Sequence, residues 1–262
     1  MILDEILVHK RSEVDAARIH RPLSGLKALC ADAAPARDFV GALKNPNGRI
    51  GLISEIKKAS PSAGIISPNF DPVAMARRYE HAGADCLSVL TDARFFQGRI
   101  EDMQAARTAV KLPVLRKDFV VDSYQLYEAR AAGADCVLLI VAALSPAQVS
   151  ELHGLARELG LAVLVEAHSE EEMTVALASG ATLVGINSRD LRTFVTDLGV
   201  VERVAKSAPP HVTLVAESGV KTRADVDRLL AAGARAILVG ETLMRTGDVG
   251  ACVRELTDAT IG

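Results

Sequence analysis

Tryptophan is absent from this chain, and aromatic residues of every kind make up only 3% of it. A large core must therefore be aliphatic, and 49% hydrophobic residues give ample material for one. Such cores suit parallel strands buried on both faces. Cysteine is sparse: Cys30, Cys86, Cys136 and Cys252 are widely separated and no C-x-x-C occurs. This argues against a disulfide framework, suggests small buried apolar side chains, and fits a reducing, cytoplasmic setting. The six histidines form no H-x-H or H-x-x-x-H pair, so no metal site is expected. Long apolar runs are also missing. The longest, Cys136 to Leu144, falls far short of the ~20 residues a membrane span needs. The N-terminus carries Asp4 and Glu5 and lacks a signal-peptide pattern. With a net charge of −3 and no basic stripe interleaved with aromatics, nucleic acid is not an expected partner.

What the chain does have is a repeated phrase, a Gly-Ala pair closing a helical stretch and leading into an apolar run. The copies are Gly83-Ala84 before Cys86–Leu90, Gly133-Ala134 before Cys136–Ile140, Gly180-Ala181 before Leu183–Ile186, and Gly233-Ala234 before Ala236–Val239. They recur about every 50 residues, a spacing that asks for a repeat architecture. Each interval has room for one more strand and one more helix. Apolar strands alternating with helices read as parallel βα units, and eight such strands close into a barrel. The 262 residues are close to the ~250 typical of a (β/α)8 TIM barrel. The expected organisation is one α/β domain: a helical extension over 1–48 packed on a barrel over 49–262. Strands are predicted near 50–57, 86–91, 113–117, 136–141, 162–166, 183–187, 213–217 and 236–240.

In the extension, Ile2, Leu3, Ile6, Leu7 and Val14 form an apolar stripe at helical spacing, with Lys10, Arg11, Glu13 and Asp15 opposite. A second short helix is predicted after Pro35, through Phe39 and Leu43. An apolar-faced helix outside the repeat must cover something, either the bottom of the barrel or its rim. Elsewhere, Asp71-Pro72 and Ser145-Pro146 mark helix starts, and Ser169 with Glu172 reads as a capping box. Gly83, Gly133, Gly160, Gly180 and Gly233 sit where helices end in a left-handed residue. The connection from Lys58 to Phe70 is long for a compact domain and follows the first strand, so it reads as a mobile lid.

The strands end in charge. Alternation places Ile53, Glu55 and Lys57 on one face of the first strand, with Leu52 and Ile56 on the other. The charged face must be the barrel interior near its mouth, since the other choice buries two ions beneath the helices at several kcal/mol each. The same parity pairs Leu115 with Lys117, Leu164 with Glu166 and Val215 with Glu217. The predicted rim is thus Glu55, Lys57, Lys117, Glu166, Asn187 and Glu217, with Arg189 just beyond. A purely structural ion-pair network does not explain why the charges gather at the C-terminal strand ends, where barrels do chemistry. Ser218-Gly219 and Gly240-Glu241-Thr242 follow the last two strands, the usual place for phosphate in barrels. A carboxylate at Glu241 repels such an anion, so its side chain is expected to turn away while its backbone N–H serves.

Five segments in order, Ser54–Ser62, Leu115–Phe119, Val165–His168, Gly185–Leu191 and Ala216–Val220, resemble the indole-3-glycerol phosphate synthase family, as does Leu243-Met244-Arg245. The resemblance spans nearly the whole chain, including the helical extension. It implies a phosphorylated small-molecule substrate, 1-(2-carboxyphenylamino)-1-deoxyribulose 5-phosphate, converted to indole-3-glycerol phosphate, carbon dioxide and water. It implies no cofactor. Lys117 would be the general acid, Lys57 would attract the substrate carboxylate, and Glu166 and Glu55 would move protons during dehydration. Asn187 and Arg189 would contact carboxylate or hydroxyl groups, and Glu217 would bind hydroxyl or orient Lys57. Ser60, Ser218, Gly219, Gly240 and Glu241 would hold the phosphate. Phe96, Phe119, Leu138, Leu191 and Leu238 would wall the aromatic ring, and each reads equally as core packing.

The nearest rival is an isomerase of phosphoribosylanthranilate, a similar barrel whose first strand is expected to end in Cys rather than Glu55 and Lys57. A Schiff-base aldolase fits less well, because the sixth strand ends in Asn187 rather than Lys. A catalytically silent phosphometabolite-binding barrel has no use for the set Lys57, Lys117 and Glu166. Oligomeric state is open, a monomer included, as are contacts with other enzymes.

Overall fold

Eight parallel strands follow one another around a closed barrel. They are β1 (Gly51–Ile56), β2 (Cys86–Leu90), β3 (Val114–Lys117), β4 (Cys136–Ile140), β5 (Ala162–Ala167), β6 (Leu183–Asn187), β7 (Thr213–Glu217) and β8 (Ala236–Val239). Each pairs with the next in sequence, and β8 returns to β1 with Ile53 beside Leu238. The computed structural model describes residues 2–44, 49–190 and 193–258. Helices alternate with the strands, as the repeat predicted.

The two strand faces carry different cores. Leu52, Ile56, Leu87, Val89, Val137 and Leu139 face the surrounding helices. Ile53, Leu115, Leu138, Leu164, Val215 and Leu238 fill the barrel interior. This is the parity read from the sequence, and it turns every rim charge inward. Helix boundaries follow their caps. Asp71 accepts from Val73 and Ala74 N–H at 3.0 Å. Ser145 and Gln148 form a reciprocal box. The five predicted glycines all close their helices with positive φ. At Ser169 only half the box forms: its hydroxyl accepts from Glu172 N–H at 3.2 Å, while the Glu172 carboxylate goes to His168 instead. The connection after β1 is not a bare loop, since Ala59–Ser60 and Gly64–Ile65 pair as a small antiparallel hairpin.

The extension contains three helices, α1 (Ile2–His20), α2 (Leu23–Asp32) and α3 (Phe39–Leu43), of which α2 was not predicted. It reaches both ends of the barrel. Phe39 and Leu43 on α3 pack beneath the interior layer of Ile53, Cys86, Leu115, Cys136 and Val215. The first turns of α1 lie at the mouth, where Ile2, Leu3 and Ile6 border the central cavity. Between them, Val14 and Leu26 pack on Tyr124 of the helix Ser123–Ala131.

Lys10 corrects the sequence reading. Placed there on the polar face, it is fully buried. Its ammonium lies 2.9 Å from both Asp92 and Asp118, and 3.1 Å from Glu13. Burial opposes its charge, but Asp118, Asp92 and Glu13 outweigh that and hold its proton more tightly than an ordinary lysine's.

Candidate active site

A cavity of about 730 Å³ opens at the C-terminal ends of the strands. Glu55, Lys57, Lys117, Glu166, Asn187 and Glu217 all line it, although they come from five different strands and one strand end. Lys117, at the end of β3, stands between two carboxylates: 2.5 Å from Glu217 and 3.4 Å from Glu166. Lys57, one residue past β1, is held by Glu55 at 2.6 Å. Glu217 thus pairs with Lys117, and the carboxylate on Lys57 is that of Glu55. Asn187 hydrogen-bonds the Glu166 carboxylate and accepts the Arg189 backbone N–H at 3.0 Å. The Arg189 guanidinium crosses to the hairpin loop, donating to Ser62 Oγ at 3.1 Å.

Burial and charge divide the three glutamates. Burial works against ionisation at Glu55, but Lys57 and Lys117 outweigh it and depress its pKa. At Glu166 burial is likewise outweighed, by Lys117 and His168. At Glu217 burial wins despite Lys117, helped by the charges of Glu166 and Glu55, and the carboxyl is pushed up to about 7. Lys117 is driven the other way: burial disfavours its charge, yet Glu217, Glu166 and Glu55 hold it firmly protonated. The site thus sets an ammonium donor among carboxylates of separated acidity, the arrangement required for proton transfer in both directions.

A glycine makes room for this cluster. Gly185, beside Glu166 in the register of β5 and β6, carries nothing where a Cβ would stand 2.0 Å from Glu217 Oε1. Gly240 does the same for Glu55, whose Oε1 would lie 2.5 Å from an added Cβ. Both glycines are spaces into which rim carboxylates fit. The sequence showed Gly185 only as part of a motif, since the side chain it accommodates comes from the neighbouring strand.

Part of the cavity wall is built of backbone and small side chains. Ser218 and Gly219 both have positive φ, 66° and 82°, unusual for the serine. Ser60, Ser218, Gly219, Gly240 and Glu241 all border the cavity. The Glu241 carboxylate turns to Arg245 at 2.9 Å. Lys221, not singled out from sequence, and Arg245, quoted there only within Leu243-Met244-Arg245, also border the cavity. On the apolar side stand Phe96, Phe119, Leu138 and Leu238, with the two phenylalanine rings 6.1 Å apart. Leu191 lies outside the described residues. Ile2, Leu3, Ile6 and Phe194 complete this wall. The extension's apolar stripe was the signal for the first three.

Among the described residues, no group of three or more His, Cys, Asp or Glu is placed to hold a metal ion, and no helix is long and apolar enough to cross a membrane.

The barrel itself is shared widely. A solved 3-hexulose-6-phosphate synthase superposes with a TM-score of 0.62 at 18% identity, over 79% of this chain and 98% of that one. An N-acetylmannosamine-6-phosphate 2-epimerase from Clostridium perfringens gives 0.61 at 15% identity, over 76% and 90%. At such identities the likeness establishes the fold alone. Sequence similarity is far more specific. A protein of Rhodospirillum rubrum described as indole-3-glycerol phosphate synthase is 52% identical over 97% of this chain and 98% of its own length. One from Azospirillum brasilense with the same description is 51% identical over the same shares. A model of that family matches residues 3–256, from the first turn of α1 to the last helix. With the rim charges converging at one mouth and the match running through barrel and extension alike, the chain belongs to the indole-3-glycerol phosphate synthase family.

Proposed function

We propose that the barrel mouth closes, decarboxylates and dehydrates 1-(2-carboxyphenylamino)-1-deoxyribulose 5-phosphate to give indole-3-glycerol phosphate. The observation that carries this reading is Lys117, a buried ammonium between Glu217 and Glu166. A carbon–carbon bond first forms between the ring carbon bearing the carboxylate and the substrate carbonyl. The carbonyl oxygen gathers negative charge and takes a proton from Lys117. The ring–carboxylate bond then breaks, its electron pair returns to the ring, and carbon dioxide leaves. Last, the new hydroxyl departs as water with a proton from the site, while a carbon-bound proton passes to a carboxylate.

Lys57, anchored by Glu55, is suited to attract the substrate carboxylate and to donate in the final step. Glu166 and Glu55 are the proton carriers of the dehydration. Asn187 and Arg189 contact the substrate's polar groups, and Glu217 binds hydroxyl and holds Lys117. Phosphate is taken by Ser60 and Ser218 with the backbone N–H groups of Gly219, Gly240 and Glu241. The anthranilate ring lies along Phe96, Phe119, Leu138 and Leu238. The hairpin loop over 58–70 acts as the lid, latched by Arg189 on Ser62. Residues 1–48 and 49–262 act as one domain, and the setting is cytoplasmic.

Supplying the carboxyphenylamino-deoxyribulose phosphate and following indole fluorescence tests the reading. Turnover is the expected result, and its absence from folded protein would sink the proposal. Glu166→Gln is expected to slow dehydration and let a cyclised intermediate accumulate, as seen by rapid quench and mass spectrometry.

A further inference from the structure

The proposed reaction has an unbalanced proton ledger. Two protons are delivered to oxygen, one to the carbonyl and one to the departing hydroxyl, and one is recovered from carbon. The substrate enters as a carboxylate and carbon dioxide leaves neutral, so each turnover draws one proton from solvent. The carboxylates that carry protons in the dehydration are enclosed: Glu55 and Glu166 are 6% and 2% exposed.

Besides the cavity mouth that both line, a side chain behind Glu166 leads toward the outside. His168 lies two residues beyond Glu166, on the same side of the chain. Its Nε2 is 3.5 Å from Glu166 Oε1, on the flank away from Lys117, which approaches Oε2. Its Nδ1 is 3.1 Å from Glu172 Oε2 in the helix Glu170–Ala178, and that same oxygen accepts the His168 backbone N–H at 2.7 Å. This is the carboxylate diverted from the capping box at Ser169. It orients the ring with Nδ1 turned outward and Nε2 turned inward. Nε2 is buried and makes no hydrogen bond among the described residues, with Glu166 Oε1 3.5 Å away. Exposure rises along the path, from 3% at the Glu166 side chain to 17% at His168 and 25% at Glu172. His168 does not border the cavity, so whatever it does passes through Glu166.

We propose that His168, backed by Glu172, is a positioning residue that faces the rear oxygen of Glu166 and returns to it the proton consumed in each turnover: the Nε2 proton passes to Glu166 Oε1, and the neutral ring regains a proton from solvent by turning out of this pose and back. This rests on the reaction assigned above. It gives Glu166 two faces, one toward Lys117 and substrate and one toward a supply from solvent. The charges facing His168 are Glu166 on β5 just before it, Glu172 on the following helix and Glu217 on β7, with Lys117 beyond Glu166. Burial opposes protonation of the ring, but the hydrogen bond to Glu172 and the three carboxylates outweigh it, so the pKa is raised. The imidazolium is lost as pH rises through that raised value, which produces an alkaline limb in kcat.

The test measures kcat and KM against pH for wild type, His168→Asn and Glu172→Gln. His168→Asn is expected to lower kcat about tenfold, short of the roughly 100-fold that loss of a general acid itself costs, with little change in KM. Its alkaline limb should vanish. Glu172→Gln keeps the imidazole but removes a charge that favours its protonation, so the limb should move about one unit toward acid. Titration of Glu217 stays in place in that variant, which separates the two. Folded His168→Asn with wild-type kcat and profile would overturn the proposal. If His168→Asn fails to fold, an unmoved limb in Glu172→Gln overturns it equally. Wild-type protein that does not turn over the substrate would instead defeat the parent reading.

Discussion

Lys117 is kept protonated by its neighbours. Glu217, Glu166 and Glu55 more than offset the burial that would strip its proton. Lys117→Ala is therefore expected to lower kcat by ~10²–10⁴ while KM changes far less, because the lost contact matters most in the transition state. Steady-state indole formation measures both. Gly185 is a second sensitive position. Gly185→Ala puts a methyl against Glu217 Oε1 and should cost turnover and thermal stability together. Gly154→Ala, with open space in the helix Pro146–Glu158, is the control and should stabilise by about 0.5–1 kcal/mol. The rim charges were legible in the sequence because strand parity leaves them one tolerable orientation. Gly185 and His168 were not: Gly185 makes room for a side chain from the neighbouring strand, and His168 takes the Glu172 carboxylate that the sequence assigns to the Ser169 capping box. Lys10 was misread for a related reason. A lysine on an amphipathic helix reads as solvated until Asp92 and Asp118, distant in sequence, are brought around it.

At the scale of elements, the extension does two separable jobs. Phe39 on α3 fills the bottom of the barrel, so Phe39→Ala should cost about 3–5 kcal/mol of stability with KM unchanged. Leu3 and Ile6 on α1 border the mouth, so their replacement by Ala should raise KM at smaller cost in stability. Urea denaturation and substrate titration give the two readouts. Lys10 ties α1 to the loops after β2 and β3. Lys10→Met strands two buried aspartates and should destabilise by about 3–5 kcal/mol. The barrel strands were legible almost to the residue because turn glycines and caps bound them. By contrast, α2 was not, because its sequence Leu23–Asp32 starts without a side-chain cap and buries Leu26 alone. Its helical state follows from packing on Tyr124 more than from local signals.

For the whole molecule, the buried ion network couples folding to pH. Glu55, Glu166 and Asp118 have folded pKa values below their ordinary ones, each because neighbouring cations overcome burial. The unfolded chain then binds more protons in acid, so the stability they contribute is complete above their unfolded pKa values and is lost as pH falls through the folded ones. Glu217 runs the other way. Raised from 4.5 to about 7, its contribution is complete in acid and lost as pH climbs between those values. Urea midpoints should fall steeply below about pH 4. The gap between wild type and Asp118→Asn should close over the same range, because a protonated Asp118 resembles Asn. A gap that stayed constant would mean that folding does not shift the Asp118 pKa.

The strap from α1 to α3 also has a consequence for biosynthesis. Every surface it covers, from Cys86 and Asp92 to Ala236, is encoded downstream of it. It leaves the ribosome before anything it can dock on exists, with Phe39, Leu43 and the Ile2–Ile6 stripe uncovered until translation is nearly complete. The nascent chain must keep its own clasp open while the vessel it fastens is still being made.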